Sequence, residues 1–110
     1  MNWCVAKSSI FDSNSQDGLD YACGIGGVNC TAIQQGGMCY NPDSVAFHAS
    51  YAFDNYYKKN GMATGTCNFD GNGAVTNQDP SKLYAYMLSL LFSHCLLAHP
   101  STTQTSRYLV

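Results

Sequence analysis

The chain is predicted to form a small disulfide-rich α+β domain, two helices with a small antiparallel sheet and long coils. Three observations carry this expectation: six cysteines in 110 residues, two segments with helical spacing of apolar residues, and a Gly/Asn-rich turn between short β-prone runs. A chain of this length forms one domain, and a domain this small buries too little surface to be stable without staples. Cys4, Cys23, Cys30, Cys39, Cys67 and Cys95 are even in number in a Gly-rich chain, which reads as a disulfide framework from an oxidising compartment. Against the rival reading, a zinc site, no C-x-x-C pair occurs, and His48 is the lone histidine among the first five cysteines. The residues alone do not choose among the possible pairings.

Residues 12–23 (DSNSQDGLDYAC) are predicted as the first helix. Asp12 can cap it, Leu19 and Cys23 share a face, and Gly24 stands where a helix end often turns left-handed. Gly18 inside it disfavours the helix by about 1 kcal/mol relative to Ala, so the disulfide is expected to support it. Residues 24–40 are glycine-rich and read as loop. The second helix is expected over 43–59 (DSVAFHASYAFDNYYKK), with Asn41-Pro42 as cap and first-turn proline. Its core stripe is Val45, Ala49, Ala52, Phe53 and Tyr56. Lys58 and Lys59 favour its C-terminal end, and Asn60-Gly61 stops it. Cys67 to Phe69 and Ala74 to Thr76 then flank a Gly/Asn turn and read as a hairpin. Beyond Ser81, residues 83–98 (LYAYMLSLLFSHCLLA) are apolar all round and give way to a Ser/Thr-rich end. These sixteen residues fall short of the ~20 that a membrane span needs, so no span is expected.

The charge pattern bears on two classes of function. Seven Asp, no Glu, four Lys and one Arg give a net charge of −2, with no basic stripe, so nucleic acid is not an expected partner. A glycosidase uses two carboxylates in different environments, and here both would have to be Asp. His48 has no activated nucleophile or carboxylate beside it in the sequence, so no catalytic residue, cofactor or metal is assigned. Residues 68–79 (NFDGNGAVTNQD) mimic a calcium loop weakly, but Asn replaces the first acid and Asp the last. Asn29-Cys30-Thr31 is a glycosylation sequon, doubtful if Cys30 pairs early.

Several motifs occur together and in order: WCVAK at 3–7, LDYACG at 19–24, IQQGG-x-CYNP at 33–42, VAFHASYAF-x-x-YY at 45–57, GTC-x-F at 65–69 and AVTN-x-DPS at 74–81. Over residues 3–81 the chain thereby resembles the family 43 carbohydrate-binding module, or X-8 domain, of plant β-1,3-glucanases and plasmodesmal callose-binding proteins. The resemblance implies two helices and a small sheet joined by long coils, three disulfides, and pairing of Cys4 with Cys67 and Cys23 with Cys30. It implies non-catalytic binding of β-1,3-glucan by an extracellular monomer in the cell wall or at the outer membrane face, in a family often carrying a lipid anchor. The departure lies at the end. The family's sixth cysteine is expected near position 85, where this chain has Ala85, and Cys39 is left with only Cys95. Residues 1–81 are therefore expected to form the domain and 82–110 an aberrant tail, read as translated intron or an alternative end. Met1-Asn2-Trp3-Cys4 carries no export signal, so the chain is expected to be a fragment, a domain of a longer precursor or a mispredicted product. The alternatives are a detached accessory domain of a glucan endo-1,3-β-glucosidase and a non-functional truncated product.

Sugar recognition sets flat aromatic faces against pyranose C–H surfaces, with amides, hydroxyls and carboxylates meeting the ring hydroxyls. On the second helix, opposite the core stripe, Phe47 and Tyr51 stand four residues apart with Asp54, Asn55 and Lys58 around them. Tyr57 and Tyr40 are further candidates. The competing reading is that the first helix or the 24–40 loop packs over these aromatics. Trp3 is expected as a core plug against the Cys4–Cys67 bridge.

Overall fold

The computed structural model describes residues 2–7, 11–78 and Cys95. Strand β1 (Trp3–Ala6) leads to helix α1 (Asp12–Cys23), helix α2 (Val45–Lys59) and strand β2 (Gly73–Thr76), with one-turn 3-10 helices at Thr31–Ile33 and Phe69–Gly71. The α+β architecture is the expected one, with a two-stranded antiparallel sheet and three disulfides.

Helix α2 is the centre of the molecule. Its N-terminus is fixed by Ser44, whose hydroxyl accepts from the Phe47 N–H at 3.1 Å, a cap worth about 1 kcal/mol. The helix starts two residues later than expected, and the cap is Ser44 rather than Asn41. At the other end Asn60 is the C-cap, and Gly61 turns left-handed at φ 70°. Helix α1 spans the expected residues, but Phe11 is its N-cap, with no side-chain cap bond, and Asp12 is the first helical residue. Gly24 takes φ −103°, ψ −99°, which is not left-handed; the chain reverses instead through Gly24 to Val28, with the Val28 N–H donating to Ala22 at 2.9 Å.

The sheet differs from the expected hairpin. Residues 69–71 form a helical turn, and β2 pairs with the N-terminal strand in the register Trp3↔Thr76, Cys4↔Val75, Val5↔Ala74 and Ala6↔Gly73. Alternate residues of β1 face opposite edges. The Cys4 and Ala6 N–H groups donate to Asp54 Oδ1 and Ser50 Oγ of α2, each at 2.9 Å. Strand β1 is therefore held on both edges, by the β2 backbone on one and by two helix side chains on the other. Trp3 is buried in the core, as expected, with Lys58 Nζ 5.8 Å from its ring centroid.

The disulfides join Cys4 to Cys67, Cys23 to Cys30 and Cys39 to Cys95, with Cα separations of 5.7, 5.8 and 5.9 Å. The first two are the pairs implied by the resemblance. The third shows that Cys95 serves as partner for Cys39, and both cysteines are buried. Apart from Cys95, the tail assigned to 82–110 lies outside the described residues. Among the described residues no helix is long and apolar enough to cross a membrane.

Candidate carbohydrate-binding site

The two helices touch where α1 has no side chain. A Cβ on Gly18 would lie 2.7 Å from Phe53 Cζ, so only glycine lets the α2 ring approach this closely. The Phe53 ring also stacks on Phe69, with centroids 3.9 Å apart and planes within 4°. Phe69 is delivered by a constrained turn. Phe69 and Asp70 both have left-handed backbones, at φ 45° and 60°, a conformation costing bulky residues about 1 kcal/mol or more. The turn is held by Asn68, whose side-chain and backbone oxygens both accept from the Gly71 N–H at 2.9 and 2.8 Å, and by the Cys67 disulfide just before it.

The outcome is an open cleft of about 600 Å³ between α1, α2 and the 65–72 turn. Tyr21 and Tyr56 form one wall, edge to face at 5.8 Å, and Phe69 meets Tyr56 edge-on at 5.5 Å. The Tyr56 phenol is raised above its ordinary value by its hydrogen bond to Tyr21. Asn14 and Asp17 of α1 face Asp70 and Asn72 of the turn across the opening, with Thr66 beside them. Aromatic faces surrounded by carboxylates and amides form the donor and acceptor set that a neutral polyhydroxyl ligand needs.

Most of the residues singled out in the sequence lie elsewhere. Phe47, Tyr51 and Tyr57 are buried, at 6, 4 and 5% exposure, and so present no face to a polysaccharide. Phe47 and Tyr51 line a small enclosed gap beside the Cys39–Cys95 bridge. Asp54 is buried and holds Cys4 and Lys58, the latter at 2.8 Å. Burial pushes its carboxyl up, against the opposing pull of Lys58 and the Cys4 N–H. Asn55 is buried and donates to Tyr51 O at 3.0 Å. The physical reason is common to all five: α2 is covered around most of its circumference. Tyr40 is half-buried, donates to Asp43 Oδ2 at 2.8 Å, and lies outside the main cleft. His48 donates from Nε2 to Tyr40 O at 2.7 Å.

Tyr21, Tyr56 and Phe69 were not among the sequence candidates. The calcium-like turn did contain part of the signal, since Asp70 and Asn72 are among the oxygen-bearing residues of the cleft rim. Asn68, the first position of that motif, is engaged in holding the turn. Among the described residues no three His, Cys, Asp or Glu side chains gather as a metal site.

The chain is similar in sequence to several plant proteins. The chain is 51% identical over 89 residues to glucan endo-1,3-beta-glucosidase 4 of Arabidopsis thaliana, covering 80% of this chain and 18% of that protein. It is 49% identical over 80 residues to plasmodesmata callose-binding protein 5 of Arabidopsis thaliana, covering 73% of this chain and 44% of that one. Against major pollen allergen Ole e 10 of Olea europaea it is 43% identical over 79 residues, 72% of this chain and 64% of the allergen. The chain thus spans less than two thirds of the length of these relatives. No solved structure matches it. The X8 domain model matches residues 2–74, about two thirds of the chain, and the chain belongs to the X8 domain family.

Proposed function

We propose that this domain binds β-1,3-glucan, such as callose in the plant cell wall, without cleaving it, and that it works outside the cell as a monomer. The observation that carries the reading is the cleft walled by Tyr21, Tyr56 and Phe69 and rimmed by carboxylates and amides. The names of the relatives supply the ligand class: a glucan endo-1,3-beta-glucosidase and a callose-binding protein share this one segment with the chain. Three disulfides favour an oxidising compartment. Asp17 and Asp70 are both exposed, whereas a glycosidase acid needs an apolar surrounding that keeps it protonated. That difference favours binding over hydrolysis.

The test is affinity electrophoresis of the oxidised protein through gels containing β-1,3-glucan, with β-1,4-glucan and starch as controls. Retardation by β-1,3-glucan alone, lost in Tyr21→Ala, is expected, with no release of reducing ends. Equal migration in all gels would refute the reading. A second reading, an accessory domain of a longer glucan hydrolase, is favoured by the match to only 18% of the glucosidase. A transcript joining this domain to a catalytic region would establish it.

A further inference from the structure

Helix α1 lines two clefts. Asn14, Asp17, Gly18 and Tyr21 face the one already described, whereas Gln16, Leu19, Asp20 and Cys23 line another. At 3.6 residues per turn these two sets point roughly 160° apart, so the clefts run along opposite flanks of the helix. The second has a volume of about 290 Å³ and is closed on its far side by Ile33 to Gln35, by Tyr40 and Asp43, and by His48 at the start of α2.

We propose that this second cleft is an independent carbohydrate-binding site, so that one domain holds two glucan segments. The choice of glucan as ligand rests on the function proposed above; the existence of the site rests on its own chemistry. Tyr40 provides an aromatic wall whose ring is supported by His48, with centroids 5.4 Å apart and planes at 35°. Its orientation is fixed twice, by the hydroxyl bond to Asp43 and by the His48 bond to its backbone carbonyl. Gln16 is likewise pre-set, donating to Asp20 Oδ1 at 2.8 Å, and Gln34 and Gln35 present exposed amides. Oriented amides supply donors and acceptors together, which suits sugar hydroxyls. Asp20 and Asp43 line the cleft, and among the described residues no Lys or Arg does, so phosphate or a uronic acid would be repelled. A polymer can engage both flanks, through one folded-back chain or two chains, and the second contact then benefits from a high effective concentration.

The experiment is titration of the ¹⁵N-labelled oxidised full chain with a linear β-1,3-linked glucohexaose, following backbone amide shifts. Two clusters of shifts are expected, around 65–72 for the first cleft and around 33–43 for the second. Tyr40→Ala should weaken the second cluster's saturation at least tenfold and leave the first within twofold. Gln35→Ala, an exposed change that does not touch the Tyr40–His48 contact, should weaken it about threefold. Tyr21→Ala should do the reverse. Shifts confined to 65–72, or a second cluster insensitive to both Tyr40→Ala and Gln35→Ala, would overturn the second site and leave the first intact. Shifts confined to 33–43 would support the second site while refuting the first. No shifts at either cluster would refute both.

Discussion

Replacing Gly18 by Ala sets two effects of opposite sign against each other, and the structure decides between them. Helix propensity alone favours Ala in a helix interior by about 1 kcal/mol. The new methyl, however, would lie 2.7 and 2.8 Å from Phe53 Cζ and Cε1, where ordinary contact is 3.4–4 Å. The ring must retreat by more than half an ångström, which disturbs its parallel stack on Phe69 at 3.9 Å, and the methyl also meets Phe69 Cβ at 3.5 Å. Overpacking of this kind costs about 1–3 kcal/mol, so the net effect is destabilisation by up to about 2 kcal/mol. For a domain of this size that is a fall in Tm of roughly 4–8 °C per kcal/mol. Circular dichroism melts of the oxidised protein measure it. The displaced Phe69 ring also disturbs the cleft, so glucan retardation in the gel should fall a few-fold. Placing the same change in a Phe53→Leu background removes the clash, and there Gly18→Ala should raise the Tm. A higher Tm for Gly18→Ala in the parent, or an equal effect in both backgrounds, would refute the reasoning.

Four further outcomes are expected. Asp54→Ala leaves the buried Cys4 N–H without its acceptor and should cost about 1–3 kcal/mol by urea unfolding, whereas Asp54→Asn retains an oxygen there and should cost less. Because burial holds the Asp54 carboxyl above its ordinary value, its contribution is complete below the unfolded value and lost as pH rises through the folded one. Stability should therefore decline across the window just above the usual carboxylate range, and Asp54→Asn should flatten that decline. Asp70→Gly relieves a left-handed backbone while removing a cleft carboxylate, so melting should stay within about 0.5 kcal/mol of the parent as glucan affinity falls. Replacing both Cys39 and Cys95 by Ser opens a bridge of sequence separation 56, which should lower stability by up to roughly 4 kcal/mol in the chain-entropy model.

What could be read from the sequence was what depends on near neighbours along the chain. Helix α1 was read to the residue because periodicity and Gly24 mark it. Helix α2 was read nearly so; Ser44 lay inside the expected span, and its hydroxyl, not Asn41, ends up closing the first turn. Pairing of β2 with residues about seventy positions away left no local trace, and the Gly/Asn turn imitated a hairpin. The burial of the aromatic candidates Phe47, Tyr51 and Tyr57 left no local trace for a related reason. A stripe at Ala49, Ala52 and Phe53 implies a free opposite face only if a helix has one covered side. Here Ser50 and Asp54 meet β1 on one side while Phe53 meets Gly18 on another. Exposed Tyr21 and the turn-borne Phe69 become neighbours only once those layers assemble.

Strand β1 precedes in the chain every group that receives it. Its two edges are received by groups from different parts of the chain, Ser50 and Asp54 in the middle and residues 73–76 near the end of the domain. Until residues 50–54 and 73–76 have been synthesised it has neither. During synthesis the segment Trp-Cys-Val-Ala waits as an unpaired apolar strand, open to a neighbour's edge until α2 and β2 have both emerged. Long-range closure of this kind slows folding, and β1 is thus the keystone of the domain, the strand that ties the middle of the chain to residues 73–76.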